Sequence, residues 1–284
     1  MAGTTTDVTA VNLFVKTWSP TLKLESNEEK VVTREFASGE SEGKMRDGLY
    51  IRKIARVPAN TQAAGATGKG LTYSNNTEER VVALPVWAYS AVEIARPVYN
   101  RMEISPDNSY RKQLSAGLGT SIDVAGAALA AGLTTNVLGS GAVNVSRALL
   151  QATVAAIVTS ARGAVKIGQT PIYLKLHPSQ IVHYMALNEL MADYARGDGE
   201  RPIVSGWANK ALGLHVDESG NVYQAGGVSY NLAYVDDAFV QAYNEEPEVL
   251  DPQDFELVKR IIATTEHGQC ELWDAYGALM QTAA

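Results

Sequence analysis

The chain has 284 residues, of which 46% are hydrophobic and 19% charged, with a formal net charge of −7 and a single cysteine. At roughly 100–200 residues per domain this length allows about two domains, and the apolar share excludes a fully disordered chain. The acidic balance argues against a generic cationic nucleic-acid coat, and the lone Cys270 excludes an internal disulfide framework and fits a reducing compartment.

Met1 to Val11 is Thr-rich and lacks a basic segment followed by an apolar run, so no signal peptide is expected. No run of about 18 apolar residues stands out; Ala142 to Val165 comes nearest, and Asn144, Arg147, Gln151 and Arg162 break it, so no membrane span is expected. The default reading is a soluble chain folded in a cytosol. The first stretch, residues 1–43, does not read as a domain. A short apolar run (Val11, Leu13, Phe14, Val15, Trp18) ends at Ser19-Pro20, and Glu25 to Lys44 is rich in charge, Ser and Gly. This composition predicts an extended arm that becomes ordered only by lying on something else.

Leu49 to Val57 and Glu79 to Tyr89 read as two strands joined through a Gly/Ala-rich tip over residues 58–70. The loop-bearing hairpin, residues 44–84, would be marginal in isolation. Ser105-Pro106-Asp107 then supplies an N-cap, a proline at the first helical position and an acid in the first turn. Leu114, Leu118, Ile122, Ala125 and Leu129 continue at helical spacing, so a helix over residues 106–132 would span about 40 Å. Gly117, Gly119, Gly126 and Gly132 each cost it about 1 kcal/mol, so packing must hold this helix, and its small residues permit close approach. After a break at Thr134 to Gly141, Asn144 is placed to cap a second helix over Val145 to Ala161.

Pro171 to Leu176 reads as a short strand, and His177-Pro178-Ser179 as the start of a third helix through Tyr194. Short strands with turns at Glu218 to Asn221 and Gly226-Gly227 fill Leu212 to Tyr243. Asp236 to Glu256 is acidic throughout (Asp236, Asp237, Glu245, Glu246, Glu248, Asp251, Asp254, Glu256) and has no base. Phe255 to Leu279 is β-like, and Cys270 in it reads as a half-buried structural thiol.

No catalytic constellation emerges. Around Gly68-Lys69 a phosphate loop would need a Gly at Ala63 and a Ser or Thr at Gly70. Gly117-Leu118-Gly119 has Ile122 where a dinucleotide fingerprint needs its third glycine. His177, His183, His215 and His267 fall in no metal-binding spacing, and no serine sits in a nucleophile elbow. Glu189 and Asp193 share one predicted helix face, which by itself is a solvated face. No enzymatic activity, metal or cofactor is expected.

The order of elements resembles the major capsid protein of tailed bacteriophages, the Hong Kong 97 fold. Tyr50 to Tyr89 is similar to the extended loop of that family, and Ser105 to Gly132 to its spine helix. Tyr173 to Val182 and Leu212 to Ser219 resemble elements of the axial domain, and Asp237 to Leu279 the closing strands of the peripheral domain. The resemblance implies an α+β fold with an N-terminal arm (1–43), an extended β-hairpin loop (44–84), a peripheral domain (85–135 and 241–284) with the spine helix, and an axial domain (136–240). It implies a subunit of pentamers and hexamers that close into an icosahedral head around double-stranded DNA, assembled in the host cytoplasm. Portal and separate scaffolding or decoration proteins would be partners, DNA contact would be weak and non-specific, and no membrane is implied. An encapsulin-like nanocompartment shell enclosing cargo protein is the alternative. The family prototype cross-links a Lys to an Asn; Lys69 lies in the tip, and no matching Asn is assigned. The basic hairpin (Lys44, Arg46, Arg52, Lys53, Arg56) and the acidic region with Asp236, Asp237, Glu245 and Glu246 are opposite in sign; either they face each other between subunits or they are two independent solvated faces.

Overall fold

The computed structural model describes residues 30–39, 48–54, 78–95, 107–187, 210–250 and 258–284. Most of the arm, the hairpin tip with Arg56 and Lys69, and the pair Glu189 and Asp193 lie outside the described residues.

In chain order, the arm segment ends in β1 (Ala37–Ser38). The hairpin pairs β2 (Leu49–Ile54) with β3 (Glu78–Ala83), and β4 (Val86–Ala95) follows. Helix α1 (Asp107–Ala128) tightens into a 3-10 turn over Leu129–Gly132. Next come β5 (Val137–Gly139), α2 (Arg147–Ser160), β6 (Ile172–Leu176) and α3 (Pro178–Met185). Strands β7 (Lys210–Ala211), β8 (Leu214–Glu218), β9 (Gln224–Ala225), β10 (Val228–Tyr234), β11 (Phe239–Leu250), β12 (Val258–Glu271) and β13 (Gly277–Ala283) complete the chain.

The strands form a four-stranded sheet in the order β1-β11-β12-β4 and a seven-stranded sheet in the order β5-β13-β10-β6-β8-β7, with β9 beside β10. Helix α1 packs on one face of the four-stranded sheet, where Leu114, Leu118 and Ile122 meet Ile261 and Ala263. Helix α2 buries Leu150, Val154 and Ile157 in a second core with Ile172, Leu174 and Leu176 of the seven-stranded sheet. Residues 277–283, grouped by sequence with 85–135, pair with β10 and β5 in the seven-stranded sheet.

Four expectations change in detail. The single returning strand over 79–89 is two strands, because Pro85 has no N–H to continue a ladder; β3 pairs with β2, and β4 pairs with β12. Ser146, not Asn144, caps α2: its hydroxyl accepts from Leu149 N at 3.3 Å, while the Asn144 amide oxygen accepts from Gln180 at 3.4 Å. On α1 the buried stripe leaves Ala125 exposed and runs through Asp123, Gly126, Ala127 and Ala130. By length and composition, Ser109–Gly132 is also apolar enough to cross a membrane, contrary to the sequence expectation, because its many small residues raise the mean hydropathy. Its apolar stripe is spent on β12, and it carries the buried carboxylate of Asp123.

The two sheets are joined where three chain crossings meet. Ala238 O accepts from Leu272 N (2.8 Å) and Trp273 N (3.2 Å), and Val235 N donates to Tyr276 O (3.2 Å). Asp274 receives Thr134 N and Thr135 N at 3.1 and 2.9 Å and both threonine hydroxyls at 2.9 and 2.5 Å. Burial alone would raise the Asp274 carboxyl, but these donors outweigh it and hold it below its ordinary value.

Gly126 is where close approach is required. A Cβ there would overlap the Thr33 methyl and press on Phe36, whereas Gly117 and Gly119 face open space. Gly126→Val is therefore expected to lose about 1–3 kcal/mol in urea unfolding and to expose residues 30–39 to protease. Gly119→Ala is expected to be neutral or stabilising by up to about 1 kcal/mol.

Candidate subunit-interface surfaces

The arm segment 30–39 lies on its own chain. Asp123, buried on α1, accepts backbone N–H groups from Val31 (3.2 Å), Val32 (3.1 Å) and Thr33 (2.8 Å). The Thr33 hydroxyl and the Asn221 amide, each at 3.1 Å, supply further donors. Five donors replace the water that a buried carboxylate loses. Phe36 stacks on Phe239 at 4.9 Å and meets Tyr234 edge-on at 5.3 Å. The Tyr234 hydroxyl donates to Val32 O at 2.6 Å; burial first, then the Glu35 carboxylate, pushes its pKa well up.

A buried ion network seals the same contact. Lys175 has 0% side-chain exposure, and its Nζ lies 2.7 Å from Glu35 and 2.6 Å from Asp217. Arg34 adds bridges to the same two carboxylates at 2.6 and 3.2 Å. Sequence reading did not find this cluster. Ile172, Leu174 and Leu176 alternate into the core, so Lys175 reads as a solvent-facing position until the arm covers it. Asp123 did leave a signal, as the one acid of α1 beyond its first turn.

The other face of the four-stranded sheet is covered over only part of its length. Ile51 and Val81 of the hairpin pack with Ala83 against Val240, Cys270 and Leu272. Gly268 admits this contact: a Cβ there would lie 3.0 Å from Leu84 O. Burial and Glu271 push the Cys270 thiol up to about 11, so it is a poor nucleophile. Beyond the hairpin root this face carries large exposed side chains among the described residues. Trp87 and Tyr89 stack at 4.8 Å while 64% and 61% exposed, and Trp87 Nε1 donates to Thr264 Oγ1 at 2.7 Å.

The charged residues singled out in the sequence are dispersed. The Lys53 ammonium sits 5.1 Å from the ring centroid of Trp273 in its own chain. Arg52 is on β2, while Arg56 and Lys69 lie outside the described residues. Asp236 and Asp237 form a 3-10 turn before β11; burial first, then Asp237, raises the Asp236 carboxyl. Glu245 and Glu246 are exposed on β11, about 20 Å further along at ~3.3 Å per residue. The acidic region is therefore two separate groups.

Nothing else on the described surface resembles an active site. A cleft of about 290 Å³ is lined by Thr170, Lys210 and His215 among others, with no carboxylate or thiol in its wall. Among the described residues no group of His, Cys, Asp or Glu is arranged to hold a metal ion.

No protein-family model matches the chain, and no curated protein matches it in sequence. Solved structures do. One from Mycobacterium phage Che8 superposes with a TM-score of 0.73 at 15% identity, covering 95% of this chain and 97% of that one. The capsid structure of the cyanophage P-SCSP1u gives 0.74 at 15% identity over 99% and 97%. The asymmetric unit of the bacteriophage PhiM1 mature capsid gives 0.72 at 11% identity over 99% and 96%. The fold is that of a phage capsid subunit.

Two predictions follow from the arm contacts. Lys175→Met removes the buried cation between Glu35 and Asp217 and leaves the exposed Arg34 to pair with both, so a loss of about 1–3 kcal/mol is expected in denaturant unfolding. His267 is buried on β12 with Nδ1 unpartnered among the described residues; burial first, then Lys30, lowers its pKa from 6.5. The unfolded chain then binds more protons than the folded one below pH 6.5, so stability falls as pH drops from there through the depressed folded pKa. His267→Gln is expected to flatten that acid limb in pH-dependent melting.

Proposed function

We propose that the chain is the major capsid protein of a tailed bacteriophage, a Hong Kong 97-type shell subunit that assembles into pentamers and hexamers around double-stranded DNA. The observation that carries this reading is the superposition of 99% of the chain on 97% and 96% of two phage capsid chains. The physical character of the surface supports it. Tyr50, Ile54, Leu84, Trp87 and Tyr89 are large, apolar and more than half exposed, which is costly for a chain that works alone. A closed shell repeats each modest contact many times. The net charge of −7 suits a lining that tolerates packed DNA without gripping it. In this reading the role is structural rather than enzymatic, the site of action is the virion, and portal, scaffolding and decoration proteins are the further partners.

The test is electron microscopy and native mass of the purified protein, followed by nuclease digestion of the contents. Round shells of megadalton mass protecting double-stranded DNA are expected. Shells filled with protein would instead support the encapsulin-like compartment, and a monomer or dimer at every concentration would overturn both.

A further inference from the structure

We propose that Lys175 and Asp217 are a self-modification site, where the lysine amine condenses with the aspartate carboxyl to an amide bond within the chain once the arm is seated. Strand register sets the two reacting groups side by side. They are Cα partners on the parallel strands β6 and β8, and Lys175 Nζ lies 2.6 Å from Asp217 Oδ2. That contact puts the nitrogen roughly 3–3.5 Å from the carboxyl carbon, the separation of a near-attack arrangement. The Lys175 side chain has 0% exposure, and the centroid of the Tyr173 ring is 5.7 Å from Nζ. Bulk water, which favours the charged ammonium, is thereby kept off the nucleophile.

The arm brings the other two parts. Glu35 Oε2 lies 2.7 Å from the same Nζ, within reach to take its protons. The Tyr234 hydroxyl gives its hydrogen to Val32 O at 2.6 Å, so its oxygen, 3.1 Å from Glu35 Oε2, can accept from Glu35 when that carboxyl holds a proton. Arg34 lies 2.6 Å from Glu35 Oε1 and 3.2 Å from Asp217 Oδ2. It orients the proton carrier and faces the oxygen on which negative charge collects as the nitrogen attacks.

The step needs no co-reactant. Glu35 carries one ammonium proton to Asp217, which becomes a carboxylic acid, and the neutral amine then attacks its Cγ. A second proton follows through Glu35 to the departing carboxyl oxygen, which leaves as water, and the third stays on the new amide nitrogen. Arg34 and Glu35 remain as a pair, and one cation and one anion have been removed from the interior. Because Arg34 and Glu35 arrive with the arm, the bond forms only in chains whose arm has docked, and it then staples β6 to β8.

The test is intact-mass and peptide mass spectrometry of the purified full chain, sampled over several days at neutral pH. A mass below that of the sequence by one water is expected, with a branched peptide joining Lys175 to Asp217. Asp217→Asn is expected to form the same bond with loss of one ammonia in place of water. Glu35→Gln cannot carry the protons and is expected to slow bond formation about a hundredfold while the far-UV spectrum is kept. A folded native chain, with residues 30–39 protected from protease, in which Lys175 and Asp217 stay in separate linear peptides overturns the proposal, even if a water is lost elsewhere. An unchanged rate in Glu35→Gln overturns the part given to the arm.

Discussion

Residues 31–36 are a wedge between the two sheets, and the remaining surfaces take their positions from it. One side of the wedge is held by a carboxylate, Asp123 on the helix of the four-stranded sheet. The other side is held by an ammonium, Lys175 on a central strand of the seven-stranded sheet. Neither charge is tolerable alone in a dry interior, and each is satisfied by groups that the wedge brings. The arm therefore completes the core rather than decorating it, and the ring of Phe36 packs among Tyr234, Phe239 and Ala127.

The crossing at Asp274 does related work by hydrogen bonding. Three separated stretches of chain pass between the sheets there, and their backbone donors and acceptors satisfy one another. With the sheets joined at that point and wedged by the arm, the four-stranded sheet has one face on α1 and the other turned outward. Exposed aromatics on that outward face then sit on a sheet strand held from behind by α1.

Much of this organisation was legible in the sequence. The 3.6 period through Leu114, Leu118 and Ile122 and the turn glycines Gly226 and Gly227 are local signals with local causes. The phage-capsid resemblance came from the order of such elements and agrees with the fold. The period failed at Ala125, because the helix turns Asp123 and Gly126 toward a segment ninety residues earlier in the chain, and no local pattern carries that. The acidic run looked like one surface because its residues are close in sequence; the extended first half of β11, Phe239 to Asn244, separates its two groups in space.

By itself, then, the sequence determined the elements: which stretches carry a helical period, where the turn glycines fall, and which positions alternate into a core. These depend on contacts between near neighbours. Only the tertiary structure decided which charges are buried and which hydrophobic groups stay exposed. Lys175 and Asp123 look like solvent positions, and Trp87 and Tyr89 like core. Each is reversed by what a distant segment covers or leaves bare, and burial is a property of the assembled surface rather than of any stretch of chain.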